Sequence, residues 1–147
     1  MAVRIQSEPL DPGAELTGFA SGRRDLGAVV TFTGVVRDND AGDLQRLEIE
    51  HYPAMTILAI EAMVTEATAR WTLGDALVIH RHGPLAPGDQ IMMVATAARH
   101  RADAFQAAEF LMDYLKSRAP FWKKEVTRDG ASWVAARDED EDALSRW

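Results

Sequence analysis

The chain has no cysteine. Disulfides, thiolate metal sites and any reaction that uses a protein thiol as nucleophile or sulfur carrier are excluded with it. No stretch approaches the ~18 consecutive apolar residues of a membrane span, and the opening MAVRIQSEPL lacks the apolar core of a signal peptide. A cytoplasmic location with no membrane partner is the expectation. No G-x-G-x-x-G or P-loop follows a strand-like segment, so a nucleotide cofactor held in that way is not expected. Positive charge is scarce as well: 16 Lys and Arg against 23 Asp and Glu leave a net charge of -7, which disfavours nonspecific binding to nucleic acid. The 4 histidines include no H-E-x-x-H spacing. His80 and His82 flank Arg81 and would share one face of a strand, where a polar strand end is a simpler reading than a metal site.

What is present suits one globular domain over residues 1–147, with 47% hydrophobic and 27% charged residues. Residues 1–26 are weakly patterned, apart from Asp11-Pro12, which predicts an N-cap and a short helix to about Ala20. Gly27–Val36 is rich in β-branched residues and reads as a strand buried on both faces. Asp38–Asp43 is a polar loop. Leu47–His51 alternates as a second strand, with Leu47, Ile49 and His51 on one face. Pro53–Trp71 reads as a helix whose inner stripe is Met55, Leu58, Ala59, Ala62, Met63 and Ala67. Ala76–His80 is a third strand, Gly83–Asp89 a turn and Ile91–Ala98 a fourth strand. Arg101–Ala119 is the second long helix, with Phe105, Ala108, Leu111, Met112 and Leu115 inward. Trp122–Thr127 and Ser132–Ala136 form a closing hairpin around Arg128-Asp129-Gly130. The acidic run in residues 138–147 reads as a solvated tail. The fold class expected is α+β: a mixed, mainly antiparallel sheet, two long helices and a C-terminal hairpin.

The basic residues gather at element boundaries. Arg37 closes the first strand, Arg99-His100-Arg101 leads into the second long helix, and Lys116, Lys123 and Lys124 flank the corner at Pro120. Free N–H groups at the start of that helix also favour anions. If the first and fourth strands are neighbours, the three groups can meet at one rim and form an anion pocket. Two crowded ammonium groups disfavour the charged state, so either Lys116 or Lys123 can become a base or nucleophile near neutral pH. Helix capping by Lys116 and strand solubility for Lys123 are the plainer roles. Glu125 is placed to pair with either lysine. Phe32 and Met112 are core residues unless the rim forms beside them, and His100 is placed to shuttle protons.

Long motifs in this chain resemble the large, catalytic subunit of molybdopterin synthase. They are GAVVTFTGVVRD (Gly27–Asp38), LEIEHYPAM (Leu47–Met55), HRHGPLAPGD (His80–Asp89), ARHRADAFQAAEFLMDYLKSRAPFWKKE (Ala98–Glu125) and WVAAR (Trp133–Arg137). The resemblance implies an α/β hammerhead fold and a homodimer, each subunit binding a small ubiquitin-like protein that ends in Gly-Gly, to make a heterotetramer. The tail of that partner carries a thiocarboxylate and delivers sulfur, twice, to cyclic pyranopterin monophosphate, yielding the dithiolene of molybdopterin for molybdenum cofactor biosynthesis. The resemblance implies no cofactor and no metal.

The same resemblance implies that Lys116 and Lys123 are catalytic. Arg37, His100, Arg101, Lys124 and Glu125 join them in substrate binding, and Phe32, Met112 and Arg137 line the pocket. Lys116 is then the candidate base or transient acyl acceptor, and Lys123 orients and polarises. A sulfur-transfer enzyme without cysteine must receive its sulfur from outside, which fits. Two rivals remain: a binding module that captures a phosphorylated ligand or a protein C-terminus on the same rim, and a single-stranded RNA binder that stacks bases on Phe121 and Trp122.

Overall fold

The computed structural model describes residues 1–135 and 137–147. Its strands and helices run β1 (Ala2–Gln6), α1 (Pro12–Gly18), β2 (Ala28–Val35), β3 (Leu44–His51), α2 (Pro53–Trp71), β4 (Asp75–Arg81), β5 (Gly83–Leu85), β6 (Gln90–Ala98), α3 (Arg101–Ser117), β7 (Phe121–Thr127), β8 (Gly130–Trp133) and α4 (Asp138–Ala143), then a 3-10 turn at Leu144–Arg146. One sheet has the order β1-β4-β6-β2 and the other β5-β3-β7-β8. Among the described residues, only β1 and β4 pair in parallel. The α+β expectation holds, and no helix among the described residues is long and apolar enough to cross a membrane.

Strand alternation gives the first sheet two apolar faces. Ala76, Val78, Met92 and Val94 pack under α2 and α3 against Ile60, Val64, Phe110 and Leu111. On the other face, Leu77, Ile79, Met93 and Ala95 are closed by Leu10 and Phe19. The second sheet has its own small core of Val36, Leu44, Leu47, Ile49 and Leu85, and Ile91 and Phe121 touch both it and the helical core. Phe121 is therefore a hinge pin between the two layers. The start of α3 is tied to β6 by the buried Thr96 hydroxyl, which donates to the Ala104 carbonyl at 2.7 Å.

Several expectations are corrected. The strand over Gly27–Val36 is not buried on both faces: β2 is the edge of its sheet, and Val29, Phe32 and Val35 are exposed. The inner stripe of α2 is rotated from the one expected. Met55 and Leu58 are 62% and 66% exposed, while Thr56 and Ile60 are buried. Thr56 tolerates burial because its hydroxyl donates to the Tyr52 carbonyl at 2.8 Å. Phe105 of α3 is 60% exposed rather than inward; Ala104, Ala107 and Phe110 take the core positions.

β1 was not expected, and Gly83–Leu85 is a short strand on β3 rather than all turn. The second hairpin strand ends at Trp133, and Ala136, expected in it, lies outside the described residues. The acidic segment is no loose tail. It forms α4, bound to α3 through the Arg118–Glu141 ion pair at 2.6 Å, and is followed by Trp147, which packs on Trp71 and Phe110.

Candidate active site

The site is built at the corner between α3 and β7. Pro120 stops the helix, and the Thr56 hydroxyl also reaches the Pro120 carbonyl, at 3.4 Å, so the first turn of α2 braces the bend. β7 then pairs with β3 so that Phe121 lies opposite His51 and Lys123 opposite Ile49. Alternation turns Phe121, Lys123 and Glu125 to one face and Trp122 and Lys124 to the other. Lys124 duly meets Glu48 at 3.2 Å and sits over the Trp133 ring at 5.4 Å, away from Lys123. Glu125 forms no ion pair with either lysine among the described residues.

Lys116 lies on the last turn of α3, one turn beyond the half-buried Met112, and its ammonium acts directly on Lys123. Lys123 is partly buried. Burial first, and then the charge on Lys116, push its pKa down to about 8, with a weaker opposing pull from Asp140 of α4. Of the two lysines left open by the sequence as the group that loses its proton, Lys123 is the one whose neutral form is favoured, while Lys116, the candidate base implied by the resemblance, is exposed. Asp140 is brought near by the Ser117 hydroxyl, which donates to the Asp140 carbonyl at 2.8 Å.

Aromatic rings line this corner. His80, at the end of β4, is stacked on Phe121 with centroids 3.9 Å apart and planes 19° apart. His51 lies 6.1 Å from Phe121 and 4.5 Å from His82. The His80 Nδ1–H donates to the Arg81 carbonyl at 2.7 Å, which leaves Nε2 as the bare nitrogen of a neutral ring. Burial is the largest influence on His80; the Arg81 bond opposes it, while Lys123, Lys116 and His51 add to it, and the pKa falls to about 3. Burial and then His82 lower His51 too, and its Nδ1 has no partner among the described residues. No group of three or more metal-ligating side chains occurs among the described residues.

The remaining basic residues divide between two ends of the fold. Ala28 pairs with Ala98 and Val35 with Gln90, so β2 and β6 are neighbours, as required, but antiparallel. Arg37 follows β2 at the end of the sheet where α3 finishes. His100 and Arg101 stand at the other end, where α3 starts, about 22 Å along the helix from Lys116. Within one chain the three basic groups do not share a rim. Phe32 is on the helix side of β2, 43% exposed, and Arg137 is an exposed residue paired with Glu139. A separate cavity of about 340 Å³ lies beneath β1 and α1, lined by Arg4, Glu15, Phe19 and Asp75, with none of the basic groups in it.

Sequence reasoning missed His80 and Asp140 as parts of this corner. The even-numbered parity of Ala76, Val78 and His80 toward the helices was the available signal for His80. Nothing local marked Asp140, because its position depends on how α4 docks.

The family model described as MoaE protein matches residues 5–118. The chain belongs to the MoaE family. It is 65% identical over 147 residues to the molybdopterin synthase catalytic subunit of Cereibacter sphaeroides, covering 100% of both chains. Among solved structures, the molybdopterin biosynthesis MoaE protein of Burkholderia ambifaria superposes with a TM-score of 0.86 at 49% identity, covering 100% of this chain and 98% of that one. The molybdopterin synthase of Staphylococcus aureus gives a TM-score of 0.82 at 32% identity, covering 90% and 96%. MoaE membership thus bears out the family resemblance and the fold together.

Proposed function

We propose that this chain is the catalytic subunit of a molybdopterin synthase, and that it moves sulfur from the thiocarboxylated Gly-Gly tail of a small ubiquitin-like subunit to cyclic pyranopterin monophosphate. The observation that carries the reading is the Lys116–Lys123 pair, with Lys123 shielded and crowded enough for its pKa to fall to about 8. A neutral Lys123 amine can serve as base or transient acyl acceptor at the thiocarboxylate carbon. The Lys116 ammonium offers charge to the oxyanion formed there and to the substrate phosphate. The absence of cysteine fits a donor that arrives on another protein.

His100 and Arg101 of a second copy of the chain join Arg37 of the first in the same site. The β2 edge is open and carries exposed Val29, Phe32 and Val35. Two copies joined by a two-fold axis along this edge run antiparallel. The partner's His100 and Arg101 would then lie beside the Arg37 end of the first copy, removing the separation of roughly 26 Å along one strand. Glu125 contributes from the Lys123 face of β7 and Met112, Phe32 and Arg137 from the walls, while Lys124 would reach the substrate only from the other face of the strand, where it pairs with Glu48.

The test is sulfur gain by the pterin, followed by mass spectrometry. Lys123→Ala and Lys116→Ala should each abolish it while leaving fold and partner binding intact. Mixing the inactive Lys116→Ala and Arg101→Ala proteins should restore about a quarter of the sites, because half of the randomly exchanged dimers would be hybrids with one intact site. Full turnover by Lys116→Ala would remove the catalytic assignment, and no recovery on mixing after verified exchange would remove the shared site.

A further inference from the structure

His80 has no part in the chemistry above, yet it is an imidazole with only 5% of its surface exposed, stacked on Phe121 of the lysine corner. Three contacts fix it. Its Nδ1–H is held by the Arg81 carbonyl at 2.7 Å, its ring lies flat on Phe121 at 3.9 Å, and its strand neighbours on either side are Ile5 of β1 and Met92 of β6. Phe121 shares its face of β7 with Lys123 and also touches both cores. We propose that His80 is a positioning residue for Lys123: clamped between the Arg81 carbonyl and Phe121, its ring is the wall that keeps water away from the Lys123 amine.

Burial is the largest of the influences on Lys123, ahead of the Lys116 charge. A wall that excludes water therefore acts on the stronger of the two levers. The charged and titratable groups around it are Lys116 on α3, Lys123 on β7, His51 on β3, His82 after β4 and Asp140 on α4. A ring that carried a proton here would add another cation beside two ammonium groups. The Arg81 carbonyl instead takes the Nδ1–H of a neutral ring, so a polar residue closes an apolar wall without leaving that carbonyl unpaired. The inference rests on the synthase reading only for the use that is made of the Lys123 amine.

Competitive acetylation of the full chain by acetic anhydride, read residue by residue by mass spectrometry, tests it without any turnover. In the unaltered chain Lys123 should titrate near about 8. His80→Ala, which opens the wall, should raise that midpoint by about one unit or more and slow acetylation of Lys123 roughly tenfold at neutral pH. His80→Phe, which keeps the stack on Phe121, should leave the midpoint within a few tenths of a unit. If His80→Ala does not fold by circular dichroism, His80→Asn takes its place, since it lacks the ring but keeps a donor for Arg81.

An unmoved midpoint in the ringless variant overturns the proposal, as does an equal shift in His80→Phe. A midpoint that moves as expected, combined with normal sulfur transfer by Lys123→Ala, would keep the wall and remove the catalytic role of the lysine.

Discussion

Sulfur transfer should switch on with rising pH, and the midpoint should report Lys123. With its pKa at about 8, about 9% of Lys123 is neutral at pH 7, against about 0.03% at the ordinary value of 10.5, a gain of roughly 300-fold in amine. The single-turnover rate of sulfur gain should therefore climb close to tenfold per pH unit below about pH 7 and level off above about pH 9. Lys116→Met removes the neighbouring cation and keeps the side-chain length. Turnover is lost in this variant, so its Lys123 midpoint is read by competitive acetylation; it should move upward, but not to 10.5, because burial outranks the Lys116 charge. Lys123→Arg should erase the limb together with activity, since a guanidinium does not deprotonate in this range. A rate independent of pH between about 6 and 9, with substrate and partner saturating, would refute the reasoning, as would a Lys123 acetylation midpoint indifferent to Lys116→Met.

His80 also sets a stability window. Its folded pKa of about 3 lies below the ordinary 6.5, so the unfolded chain takes up a proton that the folded chain refuses. Stability from this group is present above about pH 6.5 and lost toward pH 3, by up to about 1.4 kcal/mol per unit, and His80→Phe should flatten that slope in urea titrations. Gly27→Ala should lower stability by ~1–3 kcal/mol in thermal melts, because its Cβ would lie 2.6 Å from the Arg99 carbonyl oxygen, a backbone atom that cannot step aside. Trp147→Ala removes the ring packed on Trp71 and Phe110 and the 2.6 Å hydrogen bond to Asp113, and should cost ~1–3 kcal/mol in the same melts.

The parts of the fold legible from sequence were those written in local periodicity. Helix α2 was read with its observed ends because Pro53 starts it and the run to Trp71 holds the period, and α3 fell short of its expected end by two residues at Pro120. The buried face of α2 differs from the expected one because hydrophobicity alone favours Met55 and Leu58, while tertiary packing selects Thr56, whose hydroxyl finds the carbonyl of the N-cap residue Tyr52. β1 escaped notice because its pairing with β4 is parallel and distant in sequence. For the site, the proline corner did predict that Lys116 and Lys123 meet. Which of them is shielded was not legible, since burial of Lys123 depends on where β3, β4 and α4 place their side chains around it. The period of a strand already separates Lys123 from Lys124, and the antiparallel pairing of β2 with β6 separates Arg37 from Arg101. Both follow once register is known.

The most direct measurement mixes the purified chain with cyclic pyranopterin monophosphate and a thiocarboxylated Gly-Gly partner and follows the pterin by mass spectrometry. The account predicts replacement product carrying two added sulfurs, formed by the unaltered chain and lost in Lys123→Ala. A pterin that gains no sulfur while the partner remains tightly bound would contradict it, and would leave this MoaE fold as a binding module for the partner tail.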